Sequence, residues 1–279
     1  ASSEIEYHGT RARIIGEEGR GIATLIEMTQ LTRFDIVVAC AGMMRAALNQ
    51  ALHHAAHREA FGRRLAGHPL MQNVLADLAL ESEAAMLLAF RLAGTFGRAS
   101  GDGRERLIMR VMTPIAKYWL CKRCPPVAVE AMECLGGNGY VEEMPVARLY
   151  REAPVNGIWE GSGNVICLDV LRSFQREPGS VEALLDEIRA GGERLQRVAG
   201  TISQSLKDTG TLEMRARRIV ETIAIALEAS LMARHAAKEA ADAFCASRLE
   251  GDWGRAFGTL PSTAPCEAIV KRAQLAFYR

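Results

Sequence analysis

Apolar residues recur every three or four positions along most of this 279-residue chain, the spacing that places them on one face of an α-helix. The longest of these runs are bounded by turn-like stretches such as "GEEGRG" at 16–21 and "RASGDG" at 98–103. Four such runs, joined by short connections, predict an antiparallel helical bundle. The predicted helices cover about 16–57, 70–98, 104–135 and 162–174.

Prolines and glycines divide the rest of the chain. Pro114 and the pair Pro125-Pro126 are expected to kink or shorten the third helix, because proline lacks an N–H group and clashes with the preceding turn. Pro178-Gly179 marks a boundary, after which we predict an added helical layer. The helices predicted in this layer cover 180–207, 211–247 and 262–278.

Residues 4–15 show a looser pattern in which apolar and polar positions alternate. Alternation is typical of a half-buried strand, so one or two short strands are predicted around His8-Gly9. A strand pair on its own is only marginally stable in water and needs a larger sheet. We therefore expect the chain to begin inside a β domain whose N-terminal part is missing from the sequence.

These patterns together predict a mainly α protein in three parts. Residues 1–16 form the truncated end of a β domain, 17–177 form the helical bundle, and 178–279 form the additional helical region. The predicted fold class is an antiparallel helical bundle with a short N-terminal β remnant and an extra C-terminal helical region.

Composition narrows the functional classes. Apolar residues make up 49% and charged residues 24% of the chain, which is ordinary for a soluble globular protein. The net charge of +1 gives no global field that would favour nucleic acid or a membrane surface. Seven cysteines, an odd number, indicate free thiols in a reducing cytoplasm. The most apolar stretch, "IVETIAIALEASLMA", is interrupted by Glu221 and Glu228, so no membrane span is predicted.

The stretch "IWEGSGN" at 158–164 places a single carboxylate, Glu160, between an aromatic residue and a Gly-Ser-Gly step. An acid just before a helix complements the helix dipole, and this alone would explain Glu160. Ser162 is placed to cap the same helix. Alternatively, Glu160 is a general base beside the apolar wall of Trp159, which would raise its pKa. The residues alone leave both interpretations open.

Two further motifs each allow a structural and a functional interpretation. In "HREAFG" at 57–62, Arg58 either compensates the dipole at a helix C-terminus or directs its guanidinium at a diphosphate. In "GGNGY" at 136–140, the glycines either end a helix in a turn or let the backbone approach a phosphate or a ring.

No metal site is predicted. "CKRC" at 121–124 is a single pair of cysteines in a helical context, whereas a structural zinc ion usually takes four ligands. His53 and His57 share a helix face, but the zinc-protease pattern requires a glutamate directly after the first histidine, and His54 stands there.

The order of these motifs resembles the C-terminal helical domain of the acyl-CoA dehydrogenase family of flavoproteins. "RxxFG" in a helix-end loop is followed by "GGxGY", by "RLYRE" and by an aromatic residue with Glu-Gly-Ser, and the resemblance covers residues 4–175. The alkylation-response (AidB) branch of that family is the most similar one. The stretches that resemble it include "TRFD" at 32–35, "HPLMQ" at 68–72, "AMECLGGNGYVEE", "RLYREAPVNGIWEGSGNV" and "CLDVLR" at 167–172.

The resemblance implies an FAD-dependent oxidation of an acyl-CoA by a homo-oligomer, a dimer of dimers. Glu160 takes the position of the base that removes the α-proton of the substrate, while the β-hydride passes to the flavin. Arg58 and Phe61 match residues that hold the adenosine diphosphate part of FAD, usually in the neighbouring subunit. The other matched FAD positions are Gly136, Gly137, Ser162 and Asn164.

Departures from the family pattern lie at neighbouring positions. Glu133 stands where a glutamine is common near the pyrophosphate, and a carboxylate there would repel phosphate unless it turned away or were paired. Pro69 stands where a flavin-contacting glutamine is common, and Gln72 would have to substitute for it. Trp159 would narrow the acyl pocket and Arg172 would make it more polar. We therefore expect weak activity on short or branched acyl-CoA.

Two alternative functions stay open. One is a DNA-binding alkylation-response flavoprotein with vestigial dehydrogenase chemistry, which would contact double-stranded DNA through residues 180–279. Residues 176–279 contain 15 Lys and Arg against 14 Asp and Glu, and cations cluster only at 215–218 and 271–272, so a solvated helix face explains them equally well. The other is a cofactor-free helical fragment, and we expect the isolated chain to bind FAD poorly and to lack turnover.

Overall fold

The computed structural model describes residues 3–274 and is mainly α-helical. At its centre are three long helices, α1 (Gly21–His57), α2 (Pro69–Arg98) and α3 (Gly103–Cys134), each packed against both others. Their contacts form a continuous core of buried aliphatic side chains. The prediction of a mainly α helical bundle is confirmed. In the described part of the chain, no helix combines the length and the apolarity that crossing a membrane requires.

No β-strand forms in residues 3–20, the described stretch that precedes α1. Residues 3–20 are exposed and pair with no other strand, so the strands predicted around His8-Gly9 do not form. A strand is stable only when its N–H and C=O groups pair with a neighbouring strand, and the described chain offers none there. Helix α1 starts at Gly21 rather than Gly16, and its first turn contains no acidic residue.

The one sheet in residues 3–274 is a two-stranded hairpin between α1 and α2. Its strands are β1 (Glu59–Ala60) and β2 (Arg63–Arg64), which pair antiparallel. The intervening Phe61 and Gly62 both have a positive φ, 52° and 81°, as a type I′ turn requires. The hairpin therefore presents Phe61 at its tip.

Helix α3 runs unbroken for 32 residues with Pro114, Pro125 and Pro126 inside it. These prolines were predicted to kink or shorten the helix, and they do not shorten it. An internal proline costs a helix roughly 3 kcal/mol. Helix α3 offsets this cost because it packs against elements from every part of the fold and carries buried residues along its whole length.

After α3 the chain forms α4 (Gly137–Tyr140), α5 (Pro145–Glu152), a 3-10 helix (Ala153–Gly157) and α6 (Gly163–Arg176). All four elements pack against α3. Because of this packing, the connection 158–162 lies beside α3 and enters α6 at its N-terminus.

Beyond α6, the described residues form five helices where three were predicted. They are α7 (Gly179–Arg189), α8 (Glu193–Ser205), α9 (Ala216–His235), α10 (Lys238–Phe244) and α11 (Cys266–Ala273), and a π-helical segment, Cys245–Leu249, extends α10. The third predicted helix is shorter than expected, and its predicted residues 275–278 lie outside the described part of the chain.

The first predicted helix of this region is broken at Gly191-Gly192, where the chain turns from α7 into α8. A Cβ atom on Gly191 would lie 2.7 Å from the Cα atom of Ser230 on α9, so only glycine permits this approach. Gly192 adopts a φ of 103°, which side chains other than glycine rarely tolerate.

The added helices are joined to the bundle by apolar and ionic contacts. Helix α9 packs against α2, α3 and α6, and α11 packs against α2. Arg248, whose side chain is 3% exposed, pairs with both Asp77 and Glu81 of α2. Its guanidinium lies 4.3 Å from the ring centroid of Trp253, whose Nε1 donates a hydrogen bond to Asp77. The bundle and the added region therefore share one continuous core.

Candidate active site

The connection 158–162 contains a strained backbone conformation. Glu160 has a φ of 57°, and within residues 3–274 Phe61 is the only other non-glycine residue with a positive φ. Gly161 follows with a φ of 112°. A left-handed conformation costs a non-glycine residue roughly 1–2 kcal/mol, so surrounding groups must hold Glu160 in place.

Two cations hold this loop through its carbonyl groups. Lys117 on α3 is 1% exposed, and its Nζ donates hydrogen bonds to the carbonyl oxygens of Trp159 (2.9 Å) and Gly161 (2.6 Å). Arg33 on α1 donates through Nε to the carbonyl oxygen of Glu160 at 3.1 Å. Three consecutive carbonyls are therefore bound by charged donors, whose hydrogen bonds are stronger than neutral ones.

Arg33 is itself fixed by Asp169 of α6. Its Nη1 lies 2.6 Å from Oδ2 of Asp169, and Nη2 of Arg110 lies 2.9 Å from Oδ1 of the same carboxylate. Burial alone would raise the pKa of Asp169, but the hydrogen bonds and charges of Arg110 and Arg33 outweigh it and hold the pKa below its usual value. Asp169 is thus an ionised anchor that connects α1, α3 and α6 behind the loop.

Trp159 is held from one end of its indole ring. Its Nε1 donates to Oδ1 of Asn156 at 3.1 Å, and the buried Asn156 accepts a hydrogen bond at its carbonyl from the thiol of Cys121 (3.0 Å). The side chain of Trp159 remains 45% exposed. The indole is therefore oriented by the protein and still has a face available to a ligand.

The carboxylate of Glu160 is half-buried, and no described side chain donates a hydrogen bond to it or pairs with it. A carboxylate with free lone pairs can accept a proton, as a general base must. Ser162 occupies the N-cap position of α6, as predicted, but its side chain makes no capping hydrogen bond. The carboxylate of Glu160 is therefore free to accept a proton, and its role as a base stays a prediction.

The other predicted residues of this segment are exposed on or near α6. Ser162 and Asn164 lie at its N-terminus, and Arg172 lies three turns further along. The ten helical residues 163–172 span about 15 Å, and no contact joins Arg172 to Glu160 among the described residues. The predicted substrate-pocket role of Arg172 stays a prediction.

A second group of predicted residues meets at a separate cavity of about 530 Å³. Arg58 and the backbone of Gly136 and Gly137 line it, together with His54 and Glu133. The structure thus brings Arg58 to the glycine motif within one chain, and the role of each at FAD stays a prediction. The carboxylate of Glu133 is also present in this cavity and forms no ion pair with another described residue.

The glycines of "GGNGY" have different structural roles. Gly136 needs its freedom for a φ of 60°, and Gly139 needs its small size because a Cβ there would lie 2.2 Å from the carbonyl oxygen of Met132. A Cβ on Gly137 would meet no atom within 4 Å. Part of the motif is therefore explained by packing alone, while Gly137 leaves open space at the cavity.

Phe61 lies apart from both groups. It is 95% exposed at the tip of the hairpin, in edge contact with His68 at a centroid distance of 6.2 Å. Within one chain, the structure brings Arg58 to Gly136 and Gly137, but it does not bring Phe61 or Ser162 to that cavity.

Sequence reasoning missed the residues that hold the loop. Lys117 stands in "TPIAKYWLC", where apolar residues on both sides signal a buried position for a charged residue. Arg33 and Asp169 belong to "TRFD" and "CLDVLR", two stretches distant in sequence that meet in an ion pair. Their pairing needed the tertiary structure, because spacing along the chain does not bring α1 to α6.

Several cations of the added region are engaged within the protein. Arg215 pairs with Asp208 at 3.2 Å, Arg217 lies 5.9 Å from the ring centroid of Tyr118, and Arg272 pairs with Glu83. These contacts give no support to a phosphate-binding surface. As for metals, the described residues contain no group of three or more potential ligands.

Comparisons with known proteins agree on one family. Residues 19–175 match the family model described as acyl-CoA dehydrogenase, C-terminal domain. The Escherichia coli (strain K12) protein AidB is 39% identical over 90% of this chain, which covers 46% of AidB.

Solved structures give the same result for the fold. Caenorhabditis elegans ACDH-11, solved in complex with C11-CoA, aligns with a TM-score of 0.75 at 28% identity, over 85% of this chain and 45% of its own. An acyl-CoA dehydrogenase from Bacillus anthracis, solved with FAD, aligns with a TM-score of 0.66 over 92% of this chain and 50% of its own, and at 20% identity it supports the fold alone. The chain thus spans about half the length of these relatives, and it belongs to the acyl-CoA dehydrogenase family, with residues 19–175 as its C-terminal domain.

Proposed function

We propose that this chain carries the base and part of the cofactor-binding surface of an FAD-dependent acyl-CoA dehydrogenase of the AidB-like branch. The observation that carries this proposal is the held, left-handed Glu160, whose three surrounding carbonyls are bound by Lys117 and Arg33 and whose own carboxylate is free. A strained backbone and a buried ammonium group both cost free energy. Such costs are typical of sites where the position of a carboxylate matters for chemistry.

The residues present fit the diphosphate of FAD. We propose that Arg58 pairs with it and that Gly136 and Gly137 let the backbone approach it, since these groups line one cavity and a Cβ on either glycine would meet no protein atom. Glu133 in the same cavity weakens this fit, because its charge opposes that of a phosphate. Phe61, exposed at the hairpin tip, is placed to reach the FAD of a neighbouring subunit, and Ser162 and Asn164 are proposed as further contacts.

The chain's own part in the reaction is proton removal. The Glu160 carboxylate takes the α-proton of the acyl-CoA, and the electron pair of that C–H bond forms the new double bond. Lys117 and Arg33 keep the base from moving, and Trp159 beside it limits the water that reaches the proton. Bound FAD would supply the acceptor for the hydride that leaves the β-carbon.

The proposed substrate is a short or branched acyl-CoA, oxidised weakly. The relative ACDH-11 is solved with C11-CoA, which supports an acyl-CoA as the substrate class. Trp159, oriented by Asn156 and partly exposed, would narrow the space beside the base. Arg172 would add polarity if a bound acyl chain reached it. We further propose a homotetramer in the cytoplasm.

The test uses the full-length protein purified with its flavin. Anaerobic addition of a short branched acyl-CoA should bleach the flavin absorbance, and Glu160→Gln should keep the flavin but slow the bleaching by about 10²–10⁴-fold. Glu143→Gln, an exposed acid outside both groups, is the matched control. Equal bleaching rates for Glu160→Gln and the wild type would remove Glu160 as the base, and a full-length protein without flavin would remove the whole proposal.

A further inference from the structure

Lys117 is a buried cation without a carboxylate bound to it. Its side chain is 1% exposed in the centre of α3, and it forms no ion pair within residues 3–274. Burying an ammonium group without an ion pair costs several kcal/mol and lowers its pKa, as burial does here. Packing alone would be served better by methionine or leucine, so the charge needs another explanation.

Among the described residues, the ammonium group donates hydrogen bonds only to the loop that holds the proposed base. Its two hydrogen bonds, of 2.9 and 2.6 Å, end on the carbonyls directly before and after Glu160. The Trp159 carbonyl belongs to the peptide group that precedes Glu160, and Arg33 holds the carbonyl of the peptide group that follows it. Because the next carbonyl, that of Gly161, is also bound, Lys117 and Arg33 together restrict the φ and ψ of Glu160. The charge of the Glu160 carboxylate also favours the charged form of Lys117, although burial, the largest effect, still lowers the pKa of this ammonium group.

We infer that Lys117 is a positioning residue for Glu160: it sets the backbone of the base and supplies a fixed positive charge beside it. This inference rests on the proposed function of Glu160. Arg33 shares the backbone role through the carbonyl of Glu160, but its charge is balanced by Asp169, whereas that of Lys117 is not balanced by any bound carboxylate.

The test replaces Lys117 by methionine in the full-length flavoprotein, with Lys207→Met, an exposed lysine at the end of α8, as the matched control. Flavin reduction by a short branched acyl-CoA should slow by about 10- to 100-fold, since small displacements of a reacting group have effects of this size. The FAD content and the concentration of substrate giving half-maximal rate should change little. If Lys117 had only a structural role, Lys117→Met would lower the FAD content and the thermal stability instead.

A second readout separates positioning from general damage. Substrate deuterated at the α-carbon should show a larger kinetic isotope effect in Lys117→Met than in the wild type, because proton removal becomes more limiting. Lys117→Gln, which keeps two N–H donors without the charge, should lie between the two. An unchanged rate and isotope effect in Lys117→Met would overturn the inference.

Three further outcomes have a fixed interpretation. If Lys117→Met does not fold, Lys117→Gln is measured in the same way, and loss of the fold or the flavin in both variants would make Lys117 structural and overturn the inference. If Glu160→Gln reduces its flavin at the wild-type rate, the proposed function fails whatever Lys117 does. If only Glu160→Gln is impaired, the function stands and the inference on Lys117 fails.

Discussion

The indole Nε1 of Trp119 on α3 donates a hydrogen bond of 2.8 Å to Oε2 of Glu228 on α9, between the bundle and the added helices. Glu228 is 3% exposed, and burial, reinforced by the carboxylate of Glu81, raises its pKa to about 8. The hydrogen bond and the charges of Arg123 and Arg248 offset only part of this rise. Glu228 is therefore largely protonated in the folded protein at neutral pH.

This raised pKa makes the protein less stable as the pH rises through a defined window. Between the unfolded pKa of about 4.3 and the folded pKa of about 8, the native state holds a proton that the unfolded chain has released. The stabilisation is complete below about pH 4.3 and is lost as the pH approaches 8. Urea titrations from about pH 5 to 9 should show this loss, with a contribution of at most about 1.4 kcal/mol per pH unit from Glu228.

Glu228→Gln should remove this contribution, because glutamine keeps the hydrogen bond to Trp119 and does not titrate. The variant should gain stability relative to the wild type as the pH rises toward 8. Glu221→Gln, an exposed acid on the same helix, is the control and should keep the wild-type dependence. Parallel pH profiles for the wild type and Glu228→Gln would contradict a protonated Glu228.

Arg91 on α2 connects three helices through two carboxylates. Its guanidinium bonds to both oxygens of Glu105 on α3 and both oxygens of Glu187 on α7, each at 2.9 Å. Arg91→Leu should lower the free energy of unfolding by about 3–5 kcal/mol, because it leaves buried carboxylates without this partner. Arg98 also contacts Glu105, but its side chain is 55% exposed, so Arg98→Leu should cost less than about 1 kcal/mol. Similar losses in the two variants would contradict the assigned role of Arg91.

Lowering the pH should reduce the difference in the free energy of unfolding between the wild type and Arg91→Leu. Burial alone would raise the pKa of Glu187, but the hydrogen bonds and charges of Arg91 and Arg234 outweigh it and hold the pKa at about 2. The stabilisation from this depressed pKa is complete above the unfolded value of about 4.3 and is lost as the pH falls toward 2. Urea titrations between about pH 5 and 3 measure it.

The sequence predicted the long helices well and the breaks poorly. Helices α2 and α3 were placed nearly to the residue, because long amphipathic runs bounded by turn residues are a strong signal. The predicted helix 180–207 failed at Gly191, whose need for glycine comes from Ser230, far away in sequence. The strands predicted in 4–15 failed for the opposite reason, since a strand signal has no effect without a pairing partner.

Sequence motifs pointed to some residues of the candidate site and not to others. Glu160, Arg58 and the glycine motif were found because each has an unusual local sequence. Lys117 and the pair of Arg33 and Asp169 were not found, because their partners are backbone carbonyls or residues on distant helices. Local sequence identifies the group that would react, whereas tertiary contacts identify the groups that hold it.

Gly139→Ala tests whether packing accounts for the third glycine of "GGNGY". A Cβ at this position would lie 2.2 Å from the carbonyl oxygen of Met132, so α4 would have to move away from the end of α3. The free energy of unfolding should fall by about 1–3 kcal/mol, as is usual for overpacking. Gly137→Ala is the matched control, since its added methyl group meets open space, and its stability should stay within about 0.5 kcal/mol of the wild type. Equal free energies of unfolding in urea for Gly139→Ala and Gly137→Ala would show that α4 can move away without a cost in stability.

Substitutions of Glu133 and of Arg58 should change FAD binding in opposite directions. Both residues line the cavity that they share with Gly136 and Gly137. If the diphosphate of FAD lies there, Glu133→Gln removes a repulsive charge and should tighten FAD binding by about fivefold, the effect of roughly 1 kcal/mol between charges about 4 Å apart in water. Arg58→Gln should weaken FAD binding by at least as much. Titration of flavin into the full-length apoprotein, followed by fluorescence quenching at low and high salt, measures both, with Glu143→Gln as the control. Both effects should shrink at high salt because screening weakens them, and a Glu133→Gln variant that binds FAD no better than the wild type would place the diphosphate elsewhere.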